Sequence, residues 1–136
     1  MATESFRILE SAIESWNRGD LEATLVNIRD DVVWTTARSM PDIDRVYEGH
    51  EGLRRFFNDF SEPWEEISTQ LEEVIEDRDE QVVVLVSFHA RGREGIELDV
   101  RFIQIYHFDE AHRLRDFIGF TEDQREEALR EAGIDG

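Results

Sequence analysis

Pro63 divides the chain between two kinds of hydrophobic pattern, and that division constrains the fold more than any other feature. Before it, apolar residues recur at helical spacing. Phe6, Leu9, Ile13 and Trp16 form one stripe, Leu21, Leu25 and Ile28 a second, and Leu53, Phe56, Phe57 and Phe60 a third. After it, alternation takes over, and four long strands are predicted: Ile67 to Val74, Val82 to Arg91, Ile96 to Phe108 and Leu114 to Phe120. The breaks at Asp77–Glu80, Gly92–Gly95 and Asp109–His112 are short enough to make hairpins, so the strands form an antiparallel meander.

Caps and turns punctuate this pattern. The first helix is expected to follow Thr3 and to stop at Gly19; Asp20 then caps a short second helix ended by Asp30-Asp31. Val32, Val33 and Trp34 begin a strand, a polar loop surrounds Pro41, and Gly49-His50-Glu51-Gly52 leads into the third helix. Leu71 and Val74 break strict alternation, which predicts a bulge near Glu72-Glu73 that bends the sheet. Thr121 with Gln124 is a capping box opening a last helix that runs to Gly133. The fold class is therefore α+β: a curved antiparallel sheet forming a cone, or α+β barrel, over the N-terminal helices. At 136 residues the chain is expected to form one domain, 1–136, around one core.

Composition removes several chemistries. There is no cysteine, which excludes thiolate nucleophiles, disulfides and Cys-ligated metals. Every one of the 15 basic residues is Arg, so no lysine is present for a Schiff base or a phosphate loop. A net charge of −18, with the arginines scattered, argues against nucleic acid as a partner. The longest aliphatic run, Val82 to Val86, falls far short of a membrane span, which needs ~20 residues. Met1 to Trp16 lacks the basic and apolar blocks of a secretory signal, so a cytoplasmic location is expected.

Three stretches carry a resemblance to a known family: Trp16-Asn17-Arg18-Gly19-Asp20-Leu21, the turn Tyr47-Glu48-Gly49-His50-Glu51-Gly52-Leu53-Arg54, and the tail from Glu127-Ala128-Leu129 to Ala132-Gly133-Ile134. With the order of elements, they make the chain resemble the nuclear-transport-factor-2-like superfamily. Within it, the chain looks like the SnoaL-like group, which also contains ketosteroid isomerases and limonene epoxide hydrolases. The resemblance puts the isomerase's tyrosine donor at Ala12, its aspartate base at Thr36 and its protonated aspartate at Gln104, and none of these residues retains the role. The epoxide hydrolases need an Arg and two Asp, but Val82 to Phe88 is uncharged and Gly119 stands where the second carboxylate belongs. Asp116 is the nearest candidate for the cyclases' acid/base, and its strand parity points it away from the pocket.

The same resemblance turns Trp34, Thr36, Arg38, Val84, Val86, Phe88, Phe102, Gln104, Tyr106, Arg115, Phe117 and Gly119 into the pocket. From this set Trp34, Thr36, Arg38, Phe88, Gln104, Tyr106 and Phe117 are the expected ligand-binding residues. Alternation sends Ser87, His89, Asp99, Arg101, His107 and Asp116 outward. His89 and Asp99 are expected to form a cross-strand polar pair there, and His107 and His112 to lie solvated without a carboxylate neighbour. His50 is expected to pack or cap at the third helix. No metal or cofactor is expected. Apolar residues on the outer face, Val83, Leu85, Ile103 and Ile105, suggest a homodimer.

Two functional readings follow. In the first, the cone binds a small hydrophobic molecule without a recognisable catalytic set; in the alternative, it is a cyclase-, isomerase- or epoxide-hydrolase-like enzyme using acid/base chemistry in the same cone. A dimeric structural module with a filled cone is a third reading.

Overall fold

The computed structural model describes residues 2–37, 45–92 and 94–134. Among these residues four helices, α1 (Glu4–Asn17), α2 (Leu21–Leu25), α3 (Gly49–Ser61) and α4 (Arg125–Glu131), accompany six strands. The strands are β1 (Ile28–Thr35), β2 (Val46–Glu48), β3 (Trp64–Asp77), β4 (Gln81–Gly92), β5 (Glu97–Phe108) and β6 (Leu114–Thr121). They form one sheet in the order β2-β1-β6-β5-β4-β3. Helical periodicity before Pro63 and alternation after it thus translate directly into structure.

The caps lie where side-chain chemistry places them. Thr3 accepts a hydrogen bond from the Phe6 amide at the start of α1, and Asp20 accepts one from the Ala23 amide at the start of α2. Gly19, at φ 74°, ends α1 in the left-handed conformation that a side chain resists. The Thr121–Gln124 capping box is present, although it opens a 3₁₀ turn, Glu122–Gln124, before α4 begins.

Four expectations are corrected. Ile28 belongs to β1 rather than to the second helix, where a run of only five residues leaves little helix to sustain it. β3 begins at Trp64, directly after Pro63. The sheet is mixed rather than wholly antiparallel, because β1 pairs with β6 in parallel, with Trp34 opposite Phe117. It also ends at two edges, β2 and β3, and is not a closed barrel.

Bulges give the sheet its bend. Between Leu71 and Glu73 the β3–β4 register shifts by one residue at Glu72, as the broken alternation predicts, and a second shift leaves Ile75 as the extra residue. A further shift, between β5 and β6, makes Arg115 the extra residue.

The sheet therefore separates two cores. On its concave face Val82, Val84, Val86, Tyr106, Phe108, Leu114 and Phe117 pack against Phe6 and Leu9 of α1 and Leu53 of α3. On its convex face Val83, Leu85, Ile103, Ile105 and Phe120 pack under Ala128 and Ala132. Val83, Ile103 and Ile105 are each 0% exposed within one chain. The apolar patch that suggests a homodimer is thus covered by α4 and its flanking residues, so these side chains offer no surface to a second copy.

A polar latch reinforces that cover. Gln81 Nε2 donates to the Ala132 carbonyl at 2.9 Å and to Glu76 Oε1 at 2.7 Å, which leaves its carbonyl oxygen facing His107 Nε2 at 2.7 Å. The other ring nitrogen of His107 meets Asp116 at 2.5 Å. Burying Gln81 is tolerable because every polar atom of its side chain is matched.

Candidate functional site

The concave face and the helices line a partly open cavity of about 140 Å³. α1 contributes Ile8, Ala12 and Trp16, α3 contributes Phe56 and Phe60, and the sheet supplies the rest of the wall. Asn17 holds α1 in place over the sheet. Its amide nitrogen donates to the Thr69 carbonyl and its oxygen accepts from the Thr69 amide, both at 2.9 Å. This clip, which closes one open edge of β3, fixes the height of the neighbouring Trp16. The sequence marks Asn17 only as part of the Trp16–Leu21 stretch.

Aromatic rings dominate the wall. Trp34 stacks on Phe117 with centroids 3.9 Å apart, a contact made possible by the parallel register of β1 and β6. Phe56 lies within 5.9 Å of Trp16 and 5.6 Å of Trp34, and Phe60 within 4.8 Å of Phe88. Gly119 opens the floor: a Cβ there would sit 3.3 Å from the Phe117 ring.

Six of the seven expected ligand-binding residues, Trp34, Thr36, Phe88, Gln104, Tyr106 and Phe117, line this cavity. Arg38 lies outside the described residues. Ala12, Thr36 and Gln104, the positions that the resemblance matched to the isomerase's donor and acids, all reach the wall. Their arrangement provides polarity without titration. Thr36 is buried, and its hydroxyl donates to the Arg45 carbonyl at 3.2 Å. The Tyr106 hydroxyl donates to Gln104 Oε1 at 2.6 Å, and burial pushes that hydroxyl above its ordinary pKa, so it holds its proton. Among the described lining residues there is no carboxylate, imidazole or guanidinium.

Arg115 is a correction. As the extra residue of the β5–β6 bulge it turns to solvent, where it donates to Asp116 at 3.1 Å, instead of entering the cone. The bulge also resets the parity, so that Leu114 and Phe117 both face inward. Nothing in the local alternation announces it.

The outward residues divide between expected and unexpected partners. His89 and Asp99 face each other across the β4–β5 ladder and bond at 2.7 Å. That hydrogen bond raises the His89 pKa above its ordinary value. His107 is not free of carboxylates, as expected from the sequence, because β5–β6 pairing sets it directly opposite Asp116. Partial burial pushes the Asp116 carboxyl up, but the hydrogen bond and charge of His107, with those of Arg115, outweigh it and leave its pKa lowered. This pair lies under α4, on the far side of the sheet from the cavity. Asp116 is therefore no candidate for chemistry in the cone.

His112 also has partners: Ser5 Oγ at 3.3 Å and Asp79 Oδ1 at 3.7 Å. The trio has the composition of a nucleophilic triad but not its geometry. Both contacts fall on the same ring nitrogen, whereas a relay needs one nitrogen for each partner, and Ser5 already donates to the Asp79 carbonyl at 2.7 Å. His50 Nε2 meets the Ile28 carbonyl at 2.7 Å and so ties α3 to β1. No group of metal-ligating side chains occurs among the described residues, and no described helix is long and apolar enough to cross a membrane.

Comparison with known proteins agrees with this architecture. Residues 9–117 match the SnoaL-like domain family. A comparison with curated proteins gives no match. Among solved structures, the chain is similar to a nuclear-transport-factor-2-like protein of unknown function from Burkholderia pseudomallei. That likeness has 22% identity and a TM-score of 0.78, covering 94% of this chain and 96% of the other. It is also similar to TerC, crystallised with polyporic acid, at 16% identity and a TM-score of 0.78, over 95% and 99% of the two chains. A third relative, RV0760c from Mycobacterium tuberculosis in complex with estradiol-17β-hemisuccinate, has 18% identity and a TM-score of 0.75 over 85% and 91%. At these identities the likeness establishes the fold.

Proposed function

The chain belongs to the SnoaL-like domain family, and from that membership and the cavity together we propose that it binds a small hydrophobic organic molecule inside the cone, without acid/base chemistry. The observation that carries this reading is the wall itself: an aromatic cavity in which a few neutral polar groups stand among apolar ones. Trp34, Thr36, Phe88, Gln104, Tyr106 and Phe117 are the proposed contacts, and Arg38 remains a candidate from sequence. Proton-transfer catalysis in the same cone would need a titratable group within reach of the substrate. Among the described lining residues Tyr106 alone is titratable, and it is held protonated.

Two distant relatives of the same fold, TerC and the Mycobacterium tuberculosis protein, were crystallised with hydrophobic ring compounds. That supports the class of ligand, not its identity. The cysteine-free composition supports a cytoplasmic setting for it. A homodimer, if formed, would have to use a surface other than Val83, Leu85, Ile103 and Ile105.

Filling the cavity tests the reading. Ala12 is a small residue on the α1 wall, and Ala12→Phe should place a ring in the void at a cost of about 1–3 kcal/mol in overpacking. Ligands that bind the native fold raise its unfolding free energy by about 2.7 kcal/mol at a hundredfold excess over Kd. A thermal-unfolding screen of apolar ring compounds should therefore find ligands that stabilise the natural protein and leave Ala12→Phe unaffected. Equal stabilisation of both proteins would place binding elsewhere.

A further inference from the structure

The indole nitrogen of Trp34 is buried and has no hydrogen-bond partner among the described residues. An indole N–H can only donate, so no rotation or tautomer rescues it. Buried donors are almost always satisfied, and one left unmatched in an apolar interior is destabilising. Trp34 lines the cavity, and its neighbours are rings: Phe117 at 3.9 Å, Phe56 at 5.6 Å and Tyr106 at 6.4 Å, none of which brings a strong acceptor to it.

Resting on the binding function above, we propose that the cavity takes a neutral single-ring carbonyl compound whose oxygen accepts the hydrogen bond of the Trp34 indole. Three observations converge on that class. The unpaired donor calls for an acceptor that the protein does not supply. The volume, about 140 Å³, is close to that of an engineered cavity of about 150 Å³ that holds benzene, and below the roughly 300–1,000 Å³ of pockets for larger ligands. No cation is present among the described lining residues and the protein's net charge is −18, so an uncharged acceptor fits this wall better than a carboxylate. The surrounding rings seal the nitrogen, so they must shift locally for the oxygen to reach it.

The test compares acetophenone, ethylbenzene and benzoate by calorimetric titration into the full chain and into Trp34→Phe. Acetophenone and ethylbenzene have nearly the same shape and differ in the acceptor. Acetophenone should bind the natural protein about tenfold more tightly than ethylbenzene, the ratio expected of one matched buried hydrogen bond. Benzoate should not bind. Trp34→Phe should erase the preference while still binding ethylbenzene, which also shows that the variant retains its pocket. Equal affinities in the natural protein, a preference that survives Trp34→Phe, or tight benzoate binding would each overturn the inference and leave a binding cavity in place. If neither aromatic probe nor estradiol bound, the underlying binding function would itself fail.

Discussion

Phe56→Ala is expected to lower the unfolding free energy by about 3–5 kcal/mol, the usual range for removing a buried aromatic ring. Phe56 is buried on α3 and is the hub of the aromatic wall, with Tyr47 at 5.2 Å, Phe60 at 5.3 Å, Trp34 at 5.6 Å and Trp16 at 5.9 Å. Those four rings belong to α1, α3, β1 and β2, so one deletion loosens the contacts that hold α1 and α3 against that end of the sheet. Urea unfolding followed by circular dichroism measures it: the midpoint should fall while the slope stays constant. A loss below about 1 kcal/mol would mean that the wall collapses around the missing ring, and that α3 is held chiefly by Leu53.

Ending the chain at Gln124 is the second large perturbation, because it strips α4 from the convex face. Val83, Leu85, Ile103, Ile105 and Phe120 then lose Ala128 and Ala132, and Gln81 loses the Ala132 carbonyl. Full exposure of one such side chain costs about 1.5–3 kcal/mol, so partial exposure of five should destabilise the fold by roughly 3–6 kcal/mol. The uncovered patch should also drive association, since contiguous apolar surface of this kind is rarely left in water. Sedimentation should therefore show the truncated chain self-associating at concentrations where the intact chain does not do so through this face. A truncated protein as stable as the intact one would show that α4 is not the cover described.

Local pattern and long-range geometry explain what the sequence could and could not reveal. Helix caps at Thr3, Asp20 and Thr121, the stop at Gly19 and the Glu72 bulge are local, and each is legible because the residues that decide it are adjacent. The parallel pairing of β1 with β6 joins Trp34 to Phe117 across most of the chain, and no local signal encodes it. β2 is three residues long, too short for alternation to register. The role of α4 was hidden because it covers the sheet with Ala128 and Ala132, small side chains that make a faint stripe. Trp34, Gln104 and Tyr106 were legible as wall residues through parity and family resemblance together. Arg115 is not legible, because a one-residue bulge reverses parity without leaving a mark in the pattern. The His107–Asp116 pair could have been found by counting back on both sides of the Asp109–His112 turn, but the same bulge displaces that count by one.

The central claim, that the cone is a ligand-binding cavity, is tested most directly by the three indole N–H resonances in a proton–nitrogen NMR titration with acetophenone. Trp16 and Trp34 line the cavity, whereas Trp64 begins β3 and is not among the lining residues, so it serves as an internal control. Binding in the cone predicts that the Trp16 and Trp34 signals shift along one saturable curve while Trp64 stays in place. Saturable shifts confined to Trp64, or no shift at any of the three with acetophenone, ethylbenzene or estradiol up to their solubility limits, would contradict it.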